Sequence, residues 1–150
     1  MLLPLLFACG STSPEHPVDC RIDDGPCSKV LGDQKLQVVL DIGPKPVRTM
    51  KRLSFRIALQ DSASAAANSD VKANTDATTD VFVDLSMPGM TMAENRVSLR
   101  RDAAGLYTGE GVIVRCTSGK KVWKAEVSVR RPGRSADDVL TTPFFFRVTQ

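Results

Sequence analysis

Histidine is almost missing from this chain: His16 is the only one in 150 residues. Any catalytic triad or dyad would have to use it, and most His-rich metal sites are excluded. His16 lies in a polar, Pro-containing stretch, where a solvated side chain with no role is expected. Aromatic residues are scarce, with one Trp, one Tyr and six Phe. Neither sign of charge dominates. Lys plus Arg is 20 and Asp plus Glu is 17, a net charge of +3 with no basic stripe. That excludes a nucleic-acid binder driven by bulk charge. No apolar run approaches the roughly 20 residues of a membrane-spanning helix. The four cysteines form no C-x-x-C knuckle, which argues against structural zinc. A nucleophile–base pair, a phosphate-cradling glycine loop and a paired-carboxylate spacing are all missing, so a non-enzymatic protein is expected. What is present is ordinary for one globular domain: 42% hydrophobic and 25% charged residues.

The N-terminus carries an address. Residues 2–8 are an apolar run ending at Leu6-Phe7-Ala8-Cys9-Gly10-Ser11. A small residue before a Cys, with Leu three positions ahead of it, resembles the lipobox of bacterial lipoprotein signal peptides. The resemblance implies a partial signal peptide over 1–8, lipidation of Cys9, and a lipid-anchored, periplasm-facing protein of the bacterial cell envelope. Residues 9–33 then read as a tether containing Cys20 and Cys27. With Cys9 lipidated, three cysteines remain: Cys20, Cys27 and Cys116. One disulfide and one free thiol is the simplest arithmetic for an oxidising compartment. Three pairings are open. The turn residues Asp24-Gly25-Pro26 favour Cys20 with Cys27 and leave Cys116 free.

From residue 34 onward the apolar period is two. Leu36, Val38, Leu40 and Ile42 alternate, then Leu53, Phe55, Ile57 and Leu59, then Val81, Val83 and Leu85. Further runs follow at 97–99, 107–115, 122–129 and 144–148. Turn signals separate them at Asp102-Ala103-Ala104-Gly105, Thr117-Ser118-Gly119-Lys120 and Pro132-Gly133. No window has an amphipathic-helix pattern. The expectation is an all-β, seven-stranded antiparallel immunoglobulin-like β-sandwich over 34–149. Residues 61–79, rich in Ala, Ser, Asn, Asp and Thr, read as a long disordered loop between the second and third strands. Gly105 to Gly111 reads as a turn and a bulged strand.

Chemical character concentrates in Met87-Pro88-Gly89-Met90-Thr91-Met92, which holds three of the five methionines. Pro-Gly is the preferred centre of a type II turn, which sets Met87 and Met90 within about 7 Å at Cα. Met92 shares a face with Met90 once the chain extends. Soft thioethers select Cu(I) over hard cations. The plainer alternative is that the methionines plug the end of the core. If 117–120 closes a hairpin, Cys116 faces Lys121 and shares the inner face with Val114 and Trp123. It then joins Met87, Met90 and Met92 as a fourth metal ligand, or is a buried, inert residue or half of a disulfide. Arg100, Arg101, Arg115, Lys120, Lys121 and Lys124 are expected near the same end. They read as a solvated face, or as a patch for anionic lipid or an acidic partner.

The stretch from Val83 through Met92, with Glu94-Asn95-Arg96-Val97 and Gly105-Leu106-Tyr107-Thr108-Gly109-Glu110-Gly111, resembles the periplasmic YtkA-like domains related to the FixH group. The resemblance implies an immunoglobulin-like sandwich, a metal role for Met87, Met90 and Met92, and a turn role for Pro88 and Gly89. It also implies copper handling or an oxidase-assembly role. The sequence thus predicts a membrane-tethered envelope lipoprotein that binds copper(I) or another soft metal through its Met-rich loop. The alternative is a metal-free interaction module docking on an envelope protein complex or transporter, with the loop as an adaptable apolar contact. No nucleic acid is expected as a partner.

Overall fold

The computed structural model describes residues 15–31, 36–61, 79–131 and 139–150. The expected signal segment, Cys9, the body of the 61–79 loop and the Pro132-Gly133 turn lie outside these residues. Where side chains alternate apolar and polar, an extended backbone puts one set on each face. Among the described residues there are nine strands, the central ones formed on this rule: β1 (Cys27–Leu31), β2 (Leu36–Gly43), β3 (Arg52–Asp61), β4 (Asp80–Ser86), β5 (Arg96–Ser98), β6 (Arg100–Arg101), β7 (Tyr107–Val112), β8 (Val122–Arg130) and β9 (Val139–Arg147). The described residues contain no helix. The chain is all-β, in two antiparallel sheets. One sheet has the order β1-β2-β3-β7-β6 and the other β5-β4-β8-β9.

Both sheets contribute to a single buried cluster. Val38, Leu40 and Ile42 of β2 and Phe55, Ile57 and Leu59 of β3 come from the first sheet. Val83 and Leu85 of β4, Trp123, Ala125 and Val127 of β8, and Phe144 and Phe146 of β9 come from the second. The registers keep these positions level, with Leu40 opposite Ile57 and Ala125 opposite Phe144. Burial of each large apolar side chain is worth about 1.5–3 kcal/mol. This shared core holds the sheets together.

Three expectations change. First, there are nine strands rather than seven. β1 arises within the segment expected to be a tether, and residues 15–31 belong to the folded unit, with Cys20, Ile22 and Leu31 buried. As an edge strand, β1 buries only alternate, chemically mixed residues, so its apolar signal is faint. β6 is two arginines and has no apolar signal at all. The structure closes the Cys20–Cys27 disulfide (Cα–Cα 5.7 Å) and leaves Cys116 free. The backbone N–H groups of Asp19 and Cys20 both donate to Phe145 O at 3.0 Å, and Phe145 N–H donates to Asp19 Oδ1 at 2.9 Å. This segment thereby covers part of the β9 edge.

Second, the fifth run ends at Val112 rather than 115. β7 pairs with β3 and β6, not with β8. Residues 113–121 therefore carry the chain from one sheet to the other, and no hairpin sets Cys116 across from Lys121. Tyr107 fixes the inward parity of β7 on odd positions. Ile113 follows it and is buried, while Val114, expected inside, is 42% exposed. Third, β7 keeps unbroken register with β3 from Tyr107↔Ile57 to Val112↔Arg52, so no bulge forms. Its glycines serve close approach instead. A Cβ on Gly109 would lie 2.4 Å from Ser98 O, and one on Gly111 would lie 2.5 Å from Val97 Cγ2. The β5–β6 segment, which passes from one sheet to the other around Leu99, crosses there.

Candidate sulfur site at one end of the sheets

The Met loop leaves the inner end of β4. Met87 continues the buried parity of Val81, Val83 and Leu85 and is 4% exposed. Extending the Ser86↔Lys124 pairing by one step sets it opposite Trp123. Pro88 and Gly89 then reverse the chain. Gly89 has φ +72° and Met90 N–H donates to Met87 O at 3.2 Å, the type II geometry. The turn that buries Met87 lifts Met90 out, to 39% exposure. Met92 packs half-buried against the core. Met87 thus plugs the core, as the plainer reading expected, and Met90 is left partly exposed.

A second turn meets the first. Gly119 N–H donates to Cys116 O at 3.3 Å, closing a turn in the crossover. Cys116, 9% exposed, directs its Sγ at Met90 Sδ, 3.6 Å away. Ser118 Oγ lies 2.8 Å from the same Sγ and 4.0 Å from Met90 Sδ. Of the four expected ligands, Met90 and Cys116 are brought together, and Met87 is committed to the core. Among the described residues no three His, Cys, Asp or Glu side chains converge.

The Cys116 thiol is held below its ordinary pKa. The Ser118 hydroxyl hydrogen bond is the main cause, opposed by burial and aided by the Ser118 and Lys120 N–H groups and the Lys120 charge. Thiolate is the form that ligates metal. Ser118 was not singled out in the sequence. It stood inside an expected hairpin turn, and only the crossover turns it toward Cys116.

Other expected residues fall elsewhere. Arg100 and Arg101 pair with Thr108 and Tyr107, at the opposite end of β7 from Arg115. Lys124 is engaged by Glu126 at 3.3 Å. His16 is no free tether residue, for its ring stacks on Phe145 at 3.9 Å between centroids. Met50, unremarked in the sequence, holds φ +58° with its N–H donating to Ile113 O at 2.8 Å. Comparison with protein-family models, with curated proteins and with solved structures finds no match to this chain.

Proposed function

We propose that this protein is a non-enzymatic, lipid-anchored envelope protein whose domain binds Cu(I) through Met90 and Cys116. The observation that carries the reading is the Met90 Sδ–Cys116 Sγ approach of 3.6 Å. A thioether and a lowered-pKa thiol form a soft donor set, the kind that selects Cu(I). Two metal–sulfur bonds of about 2.3 Å span sulfurs up to about 4.6 Å apart, so the pair can share one ion without backbone movement. Met92, on the same loop, is the third donor in this reading. Met87 lies under the site as a packing residue. The role is copper handling of the oxidase-assembly type, in a YtkA-like or FixH-like domain on the bacterial envelope, tethered through Cys9.

The finer fold reading is immunoglobulin-like. Its support is strand order: β2-β3-β7-β6 and β5-β4-β8-β9 follow the A-B-E-D and C′-C-F-G orders of that fold, with β1 added at one edge.

The test is anaerobic Cu(I) titration against a competing chelator, on the chain carrying Cys9→Ser. Stoichiometric binding is expected, lost in Cys116→Ser and weakened at least tenfold in Met90→Leu. Leucine keeps the apolar surface and removes the sulfur. Unchanged binding in both variants would overturn the site. The second reading, a metal-free docking module, draws on the exposure of Met90, Met50, Val112 and Val114. It predicts no stoichiometric copper in any variant.

A further inference from the structure

The sulfur end of the molecule has an exposed apolar surface of which copper binding uses only Met90. Met50 (61% exposed), Val112, Val114 and Met90 are four of the exposed large apolar residues among those described. They are neighbours. Met50 N–H bonds Ile113 O, between the two valines. Asn95 Nδ2 donates to Val112 O at 3.1 Å, tying the Met loop alongside, and Cys116 meets Met90. Met50 has a left-handed backbone that a bulky side chain rarely adopts.

Exposed cations adjoin these apolar residues along the chain. Lys51 adjoins Met50, Arg115 adjoins Val114, and Lys120 and Lys121 follow in the crossover, all exposed. None of the four has an acidic partner among the described residues. The bordering carboxylates are engaged: Glu15 by Arg147 at 2.8 Å, Glu110 by Arg52 at 3.5 Å and Glu94 by Arg96 at 3.3 Å. The face is therefore apolar at its tips and positive around them.

We propose that this face docks on an anionic lipid bilayer, with Met50, Val112 and Val114 entering the headgroup layer and Lys51, Arg115, Lys120 and Lys121 on the lipid phosphates. Lysine is a point charge that suits phosphate without the matched geometry of a protein partner. Each cation near such a surface adds attraction that salt screens. Chain length fits as well. Glu15, where the described chain begins, accepts from Lys121 N–H at 3.4 Å at this same end. Cys9 is six residue steps away, so a lipid there lies at most roughly 20 Å from it. That length argument alone rests on the lipoprotein reading. A docked domain would hold the Met90–Cys116 pair at the lipid boundary.

The test uses the full 150-residue chain with Cys9→Ser. It is sedimented with vesicles of phosphatidylcholine alone and of an equimolar phosphatidylcholine–phosphatidylglycerol mixture. Binding to the mixture only is expected, lost at about 0.5 M salt, where screening is short-ranged. The variant Lys51→Glu/Arg115→Glu/Lys121→Glu should bind at least tenfold more weakly, with an unchanged circular-dichroism spectrum. The apolar run 2–8 is present in both chains, so the difference isolates the face. Should the variant fail to fold, the salt series on the parent chain decides. Cys116, the sole thiol here, should also react more slowly with a charged maleimide on the mixed vesicles. Equal binding by parent and variant, equal binding to neutral vesicles, or capture by soluble polyglutamate with the vesicles ignored would each overturn the proposal. Acylation of Cys9 is read separately, from the mass of the chain recovered from a bacterial envelope. The anchor and the face can therefore fail independently.

Discussion

At the scale of single residues, the chemistry turns on what Ser118 does to Cys116. The hydroxyl 2.8 Å from Sγ stabilises negative charge there more than burial opposes it, so the folded-state pKa is the lower one. The thiolate form then favours the folded protein. That contribution is complete above the unfolded-state pKa and disappears as pH falls through the folded one. Alkylation of the Cys9→Ser chain by iodoacetamide, followed against pH, should give a lower midpoint in the native protein than in urea. Ser118→Ala should raise the native midpoint, and Lys120→Gln should raise it less. Coincident native and unfolded midpoints would remove the activated thiol from the argument. Parts of this arrangement were legible in the sequence: the Pro-Gly turn and a free Cys116. The Ser118 contact was not, because it depends on residues 113–121 passing between sheets, which no local pattern encodes.

At the scale of elements, alternation marked the central strands well, since each buries a continuous apolar row. β2, β3, β4 and β8 lie where the period of two put them. The edges were harder to read. β1 shows Ser28 and Val30 to solvent and fully buries only Leu31, β6 is only Arg100–Arg101, and β5 with β6 is one extended segment shared between two sheets. The crossing over β7 makes a sharp prediction. Gly109→Ala drives a Cβ to within 2.4 Å of a backbone oxygen, which moves only with the whole strand. Gly111→Ala meets Val97 Cγ2 at 2.5 Å, the tip of a side chain. Overpacking typically costs about 1–3 kcal/mol. In urea unfolding, Gly109→Ala should reach or exceed the top of that range and Gly111→Ala should fall within it. Gly25→Ala has nothing within 4 Å of its new Cβ and should stay within about 1 kcal/mol of the parent. Equal effects at all three positions would mean that the β5–β6 segment does not lie against β7.

At the scale of the whole molecule, the segment before β1 works as a clasp between the sheets. It begins at Glu15 beside Arg147, stacks His16 on Phe145, and hydrogen-bonds the backbone of β9 through Asp19 and Cys20. It then enters β1 at Cys27, on the outer edge of the other sheet. The disulfide joins its two halves, so Cys20 is fixed to β1 while its N–H is fixed to β9. An edge strand of each sheet is thereby linked through a closed loop of seven residues' separation. Closing so small a loop limits the unfolded chain modestly, by about 2–3 kcal/mol. The local consequence is larger than that figure suggests. Without the bond, the segment is no longer tied covalently to β1 and rests on the buried Ile22, its hydrogen bonds to Phe145 and surface pairs such as Glu15–Arg147, the last worth about 0–1 kcal/mol each. Cys20→Ser/Cys27→Ser should therefore lower the unfolding free energy by about 2–3 kcal/mol. In hydrogen exchange, the amide of Phe145, which donates to Asp19 Oδ1, should lose protection before those of the β2–β3 ladder at the centre of the other sheet. Uniform loss across both sheets would mean that the clasp and the core open together. The predicted order would mean that a reducing environment loosens the edge of β9 while leaving the β4–β8 pair, and the Met90 loop beyond it, in place.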